Sequence, residues 1–202
     1  IPLTITGTAS IDTDYSTAFS SKTVDRIATT IAGGNGQGLA LNQLSRSRGV
    51  HVDSLGSIYI VDSGNNRVVK WESGASEGVV VAGGYPRGID VDSSGNIYVV
   101  DSNRIVKWVP GESQGTIIAG GSSIVLEGEP NDTVTGFYNL SKVRVDSSGN
   151  LIILDSGNHR VVKWEPGATS GTVVAGGNGE GSGLNQLPTP YGIDMDSSGN
   201  LY

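Results

Sequence analysis

Few side chains in this 202-residue chain are equipped for chemistry, and their spacing is informative. There is no Cys, which excludes disulfide frameworks, thiol catalysis, iron–sulfur clusters and zinc knuckles. The two histidines, His51 and His159, are isolated in sequence, whereas a metal site gathers three or four converging ligands. Gly74-Ala-Ser-Glu-Gly78 and Gly111-Glu-Ser-Gln-Gly115 fit the G-x-S-x-G pattern of a hydrolase elbow. That elbow needs a strand-to-helix turn with His and an acid nearby. A third copy, Gly167-Ala-Thr-Ser-Gly171, lacks the central serine, so a pattern recurring at one place points to turn chemistry.

Other candidates read the same way. The glycine-rich stretches 33–38 and 176–183 lack the G-x-x-x-x-G-K-[ST] phosphate loop and are expected to be flexible connections. Asp-Ser-Ser-Gly-Asn at 92–96, 146–150 and 196–200 offers one acid and no twelfth-position Glu, so it predicts hairpin turns, not calcium loops. Asp62 and Arg67, Asp101 and Arg104, and Asp155 and Arg160 recur as pairs, predicting a short ion pair or turn cap. A ring of substrate-binding groups would require those side chains to converge on one face. Asn131-Asp-Thr133 and Asn139-Leu-Ser141 are N-glycosylation acceptors and favour a secreted protein.

Positioning these residues requires a repeated scaffold. Val-Val-Lys-Trp at 68–71 and 161–164 and Ile-Val-Lys-Trp at 105–108 are each followed by Ala-Gly-Gly, at 82–84, 175–177 and 119–121. A fourth Ala-Gly-Gly stands at 32–34. Constant motifs at variable spacing mean constant strands with variable connections. In the best copy, 88–92, 96–101, 104–109 and 116–119 read as four strands, rich in Val, Ile, Tyr and Trp. Their links contain Gly, Asn and Asp, the residues of tight turns. In Ile97-Tyr98-Val99-Val100 both alternating faces are apolar, as they are at 58–61 and 151–154. A lone antiparallel sheet with one wet face would alternate apolar with polar. Four-stranded antiparallel sheets covered on both sides by their own copies are β-propeller blades.

Gly-Ile-Asp-Val-Asp-Ser-Ser-Gly-Asn-Ile-Tyr-Val-Val-Asp-Ser-Asn-Arg-Ile-Val-Lys-Trp at 88–108 closely resembles the NHL repeat, and the resemblance extends over residues 32–202. It implies an all-β propeller used as a binding platform or, less often, as an enzyme. In NHL-type lyases metal-binding histidines and carboxylates line the channel, and only His51 falls on the matching strands here. RNA binding, another use of NHL propellers, requires a basic face. This chain has 13 Lys and Arg against 20 Asp and Glu, a net charge of −7. Three lysines, Lys70, Lys107 and Lys163, are dispersed at one repeated position.

The sequence therefore predicts a single NHL-type propeller over residues 1–202. Its blades fall near 49–84, 88–121 and 142–177, with a split blade made of 191–202 and 1–34. Thr29–Gly34 is expected as that blade's outer strand. Four blades result if the chain closes on itself; otherwise it belongs to a larger propeller or completes its blade with another chain. The first residue, Ile1, predicts a removed leader or a fragment. The expected function is a non-enzymatic, extracellular structural or interaction module with a protein partner or self-association into a polymer or filament through its incomplete blade, bearing N-linked glycans at Asn131 and Asn139. No catalytic residue, metal, cofactor, nucleic acid or membrane span is expected. A channel-site hydrolase or lyase and an RNA platform are the alternatives. Trp71, Trp108 and Trp164 are expected at equivalent positions between blades.

Overall fold

The computed structural model describes residues 29–121 and 133–202, of which those from Ala32 onward belong to one compact unit, Ala32–Tyr202. Three antiparallel sheets follow one another along it. The first is β1 (Gly49–Val52), β2 (Ile58–Asp62), β3 (Arg67–Trp71) and β4 (Val79–Gly83), paired in that order. The second is β5 (Pro86–Val91), β6 (Ile97–Asp101), β7 (Arg104–Trp108) and β8 (Thr116–Gly120). A short β9 (Thr133–Val134) lies on the outer edge of the third, which runs β10 (Leu140–Val145), β11 (Leu151–Asp155), β12 (Arg160–Trp164) and β13 (Gly171–Gly176). These are propeller blades, and the fold is all-β as expected.

Local chemistry sets the hairpins. After β1, Asp53 Oδ1 accepts the amides of Leu55 at 3.0 Å and Ser57 at 2.8 Å. Asp92, Asp146 and Asp196 repeat this arrangement. Gly56, Gly95, Gly149 and Gly199 all have φ near +80°, a conformation that costs a side chain dearly. Register is equally constant: Ile58 faces Trp71, Ile97 faces Trp108 and Leu151 faces Trp164. Each third strand carries a bulge against the fourth at one equivalent position, Val68/Val69, Ile105/Val106 and Val161/Val162.

Packing leaves neither face wet at the second strands of the second and third blades, whereas Val50 and Val52 of β1 are exposed. Every residue of β6 and β11 is buried. Tyr59, Val61, Val68 and Ala82 of the first blade meet Ile89, Val91, Ile97 and Val99 of the second. Tyr98, Val100, Ile105 and Ala119 meet Val143, Leu151, Ile153 and Trp164 in the same way. One blade cannot cover both of its faces, so the neighbours supply each other's core. The outer strands β4, β8 and β13 are the more exposed ones, because twisted sheets diverge towards their outer edges.

The expected outer strand at 29–34, the flexible connections and the equivalence of the three tryptophans need correction. Residues 29–34 form no strand, and among the described residues none hydrogen-bonds to them as one. Gly33 and Gly34 do take the positive φ seen at Gly120–Gly121 and Gly176–Gly177. Residues 191–202 form the expected hairpin start, with Met195 bridging Leu201, but the pairing with 1–28 lies outside the described residues. The stretches around 33–38 and 176–183 are connections as expected, yet they are held in defined loops by side-chain amides. Trp71 and Trp164 are buried, whereas Trp108 is half-buried and its indole N–H is without a partner.

Candidate functional site

Each complete blade ends its second strand with an aspartate whose two oxygens have separate tasks. Asp62 Oδ1 accepts the Ser45 amide at 2.6 Å, Asp101 Oδ1 that of Tyr85 at 2.7 Å, and Asp155 Oδ1 that of Tyr138 at 2.8 Å. These amides lie in the segment entering the same blade. Oδ2 takes the arginine at the start of the third strand: Arg67 Nε at 2.7 Å, Arg104 Nη2 at 2.7 Å and Arg160 Nε at 2.8 Å. The predicted ion pairs are therefore present. Each fastens the incoming connection to its own blade, so the aspartate is already saturated by donors.

The other face carries a second recurrent set. Tyr59 and Tyr98 donate hydroxyl hydrogen bonds to the turn carboxylates Asp53 and Asp92, at 3.2 and 3.0 Å. Lys70 and Lys107 lie over those tyrosine rings, 5.7 and 5.4 Å from the centroids. Burial pushes the Tyr98 hydroxyl up to about 12, helped by its bond to Asp92 and that group's charge. Burial opposes ionisation of Asp92, but donors from Asn96, Tyr98 and Ser94 outweigh it and hold the carboxyl below its usual value. Between the first and second blades a cleft of about 790 Å³ is lined by His51, Tyr59, Lys70, Val79, Val80 and Glu112, among others. The corresponding space between the second and third blades is about 170 Å³.

The G-x-S-x-G segments are the turns between third and fourth strands. Gly74, Gly111 and Gly167 have positive φ. Gly78, Gly115 and Gly171 sit under Trp71, Trp108 and Trp164, and a Cβ there would strike the indole ring and a valine of the third strand. The glycines are thus set by the tryptophans, and the central serine has no part in the geometry described.

One arrangement escaped the sequence reading. His51, Asp90 and Arg144 occupy the same register position on the inner strands β1, β5 and β10, and Asp194 holds the matching place before the Met195–Leu201 bridge, each two residues before a turn aspartate. His51 Nδ1 lies 2.9 Å from Asp90 Oδ1, and Arg144 Nη1 lies 3.1 Å from that same oxygen. Arg144 also pairs with Asp194. Asp90 Oδ2 accepts the Val145 amide at 2.8 Å. Burial works against the Arg144 charge, but Asp194 and Asp90 together raise its proton affinity above the ordinary value. Arg144 in turn holds the exposed Asp194 carboxyl below its usual range, with help from the Met195 amide. A polar row therefore crosses three inner strands, β1, β5 and β10, and reaches Asp194 beside the Met195–Leu201 bridge. The signal was available in the parallel segments Val-His-Val, Ile-Asp-Val, Val-Arg-Val and Ile-Asp-Met. It was missed because residue identity changes at every copy.

The remaining sequence-predicted residues are dispersed. Asn139 is exposed, with φ +51°, and its side-chain oxygen accepts Arg87 Nη1 at 2.6 Å. Asn131 lies outside the described residues. His159 closes a hairpin turn away from His51, with φ +51°. Among the described residues no three His, Asp or Glu side chains group so as to hold a metal ion, and no helix is long and apolar enough to cross a membrane.

Comparison with known proteins agrees with this architecture. The family described as NHL repeat matches residues 45–71, 84–104 and 137–164, one segment in each complete blade. No curated protein matches the sequence. Among solved structures, the chain is similar to a structural genomics protein of unknown function from Bacteroides thetaiotaomicron. The identity is 19%, the TM-score 0.58, and 78% of this chain and 44% of that one are covered. It is also similar to an auxiliary nutrient binding protein from the same organism, at 16% identity and TM-score 0.55, covering 74% and 43%. A third is the PQQ domain of pyranose dehydrogenase from Coprinopsis cinerea, at 16% identity and TM-score 0.54, covering 85% and 50%. The chain spans half or less of the length of each, and at these identities the likeness is one of fold.

Proposed function

The chain belongs to the NHL-repeat family, and from that premise we propose that it is a non-catalytic binding module whose partner is met by His51, Arg144 and Asp194 of the inner-strand row, with buried Asp90 tying His51 to Arg144. One observation carries the reading: on a constant frame of Asp–Arg pairs and turn aspartates, this inner position carries a different polar group in consecutive copies. The Asp–Arg pairs are engaged in recurrent structural bonds. A surface that reads a partner needs chemically distinct groups on a rigid support, and the row leaves an imidazole, a guanidinium and a carboxylate accessible. The partner is a protein segment with both charge signs, since neither sign dominates the row. The test is affinity capture with the chain and with its His51→Ala/Asp194→Asn variant, both checked by near-ultraviolet circular dichroism. The reading expects a protein retained by the first and lost by the second with the fold unchanged. Equal retention by both overturns the assignment of the row.

The module works outside the cell in this proposal. Exposed Asn139 in an Asn-Leu-Ser acceptor supports that, together with the second acceptor at Asn131. Intact-mass measurement on natural material should show a glycan removable by an amidase; the bare polypeptide mass would remove the extracellular part of the proposal.

A further inference from the structure

Residues 35–44, Asn-Gly-Gln-Gly-Leu-Ala-Leu-Asn-Gln-Leu, and 178–187, Asn-Gly-Glu-Gly-Ser-Gly-Leu-Asn-Gln-Leu, are two copies of one segment. Each ends five residues before a glycine, Gly49 at the start of β1 and Gly192 ahead of the Met195–Leu201 bridge. Both are locked in the same way. Gln43 Nε2 donates to the Asn35 carbonyl at 2.9 Å and Asn35 Nδ2 to the Asn42 carbonyl at 3.3 Å. Gln186 Nε2 donates to Asn178 at 3.0 Å, and Asn178 Nδ2 to Asn185 at 3.0 Å. The glutamine Oε1 accepts the Ala40 amide in one copy and the Gly183 amide in the other. A side chain at Gly38 or Gly181 would collide with that glutamine.

The first loop serves as a receptor. Arg67 Nη1 donates to the Leu39 carbonyl at 2.8 Å, and Nη2 donates to those of Ala40 and Gln43, each at 3.0 Å. Asn65 Nδ2 donates to the Gly38 carbonyl at 2.8 Å. The loop also sits on its blade through Gly78 N–H donating to Leu41 O at 3.0 Å. The second loop has the same framework, yet among the described residues no side-chain donor meets the corresponding carbonyls of Gly181, Ser182, Gly183 and Gln186. Leu184 is fully exposed, at 109%, where its counterpart Leu41 is at 36%.

We propose that residues 178–187 form a preformed receptor for an arginine guanidinium, presented with an asparagine two positions ahead of it on the hairpin turn of a further NHL-type repeat. The guanidinium suits the site because its planar fork directs several donors at once, whereas an ammonium is a single point charge. The internal lock keeps the acceptors oriented before binding, so little ordering cost remains. The inference is independent of the inner row.

The test is a titration of the isotope-labelled chain with a cyclic peptide containing residues 62–67, Asp-Ser-Gly-Asn-Asn-Arg, followed through backbone amide shifts. Saturable shifts confined to 178–187 are expected, while 35–44, already filled by Arg67, stays still and serves as the internal control. A peptide with Lys in place of Arg should bind at least tenfold more weakly. The Gly181→Ala chain should lose the response while its other amide shifts remain unchanged. No shift at millimolar peptide, equal binding of the Lys peptide, or matching responses in both loops would overturn the proposal.

Discussion

The Asp–Arg pairs of the third and second blades use the same residue types and differ in what covers them. Asp155 and Arg160 have side chains 0% and 7% exposed, whereas Arg104 beside Asp101 is 43% exposed. Two local differences explain this. In the third blade a four-residue turn, Ser156–His159, separates the partners, and Arg160 Nη2 reaches the Gly136 carbonyl at 3.2 Å in the incoming segment. In the second blade a two-residue turn, Ser102-Asn103, brings Arg104 back so early that Nε and Nη2 both fall on Asp101 Oδ2. The entering connection there is only Gly84-Tyr85 and covers little. The same pair is thus a sealed element under a long connection and a half-open one beside a short connection.

The largest expected effect sharpens this contrast. Asp155→Ala leaves the Arg160 charge and the Tyr138 amide without their partner in a closed site, and should cost about 3–5 kcal/mol, the range for breaking a buried ion pair. Asp101→Ala strands a guanidinium that water already reaches, and should cost about 1–3 kcal/mol, near the value for one unsatisfied buried group. Equilibrium denaturation of both variants measures the difference, and equal losses would break the comparison. Tryptophans divide similarly. Trp71→Ala opens a closed cluster with Ile60 and Val69 and should cost about 3–5 kcal/mol. Trp108→Ala, at a half-buried site, should cost clearly less in the same titration.

Much of this was legible in the sequence because the repeat reports its own constraints. The strands, their pairing order and the Asp-x-x-Gly turns follow from motifs present in every copy. The Asp–Arg pairing was legible for the same reason, although its second partner, an amide in the entering connection, was not. A side chain to backbone bond across 16 or 17 residues leaves no mark on residue type at the receiving end: Ser45, Tyr85 and Tyr138 share only an N–H. The inner row was illegible in the opposite way, since its function resides in a position where the copies disagree. The stretches 33–38 and 176–183 read as flexible from their glycines, but Gln43 and Gln186 pack against Gly38 and Gly181 and hold the loops in shape. Equivalence of the tryptophans was over-read: Trp164 bonds its Nε1 to the Ala168 carbonyl at 3.1 Å, while the Trp108 ring turns its Nε1 edge towards Gly115.

A smaller effect distinguishes the blades by pH. Asp92 and Asp146 have lowered carboxyl affinities for protons in the fold, despite the opposing effect of burial. Their stabilisation is complete above the unfolded value of 3.8 and is lost as pH falls through the lower folded values. Tyr98 works at the other end. Its stabilisation is complete below 10 and declines as pH rises from there towards about 12. The third blade carries Ile152 where the second has Tyr98 and the first has Tyr59, whose hydroxyl burial also pushes up, so this alkaline limb belongs to the first two blades. Denaturant titrations from pH 2 to 11 should show loss at both extremes, with Tyr98→Phe flattening the alkaline side. An unchanged alkaline limb in that variant would remove the tyrosine from the account.

In this reading the recurrent aspartates fasten each entering connection to its own blade, while Asp194, at the exposed end of the inner row, is available to a partner. That division of roles is tested most directly by the thermal midpoints of Asp155→Asn and Asp194→Asn, measured side by side with the parent chain. The account predicts a midpoint many degrees lower for Asp155→Asn and one within a degree or two of the parent for Asp194→Asn. Equal depression by the two substitutions, or an unaffected Asp155→Asn, would contradict it.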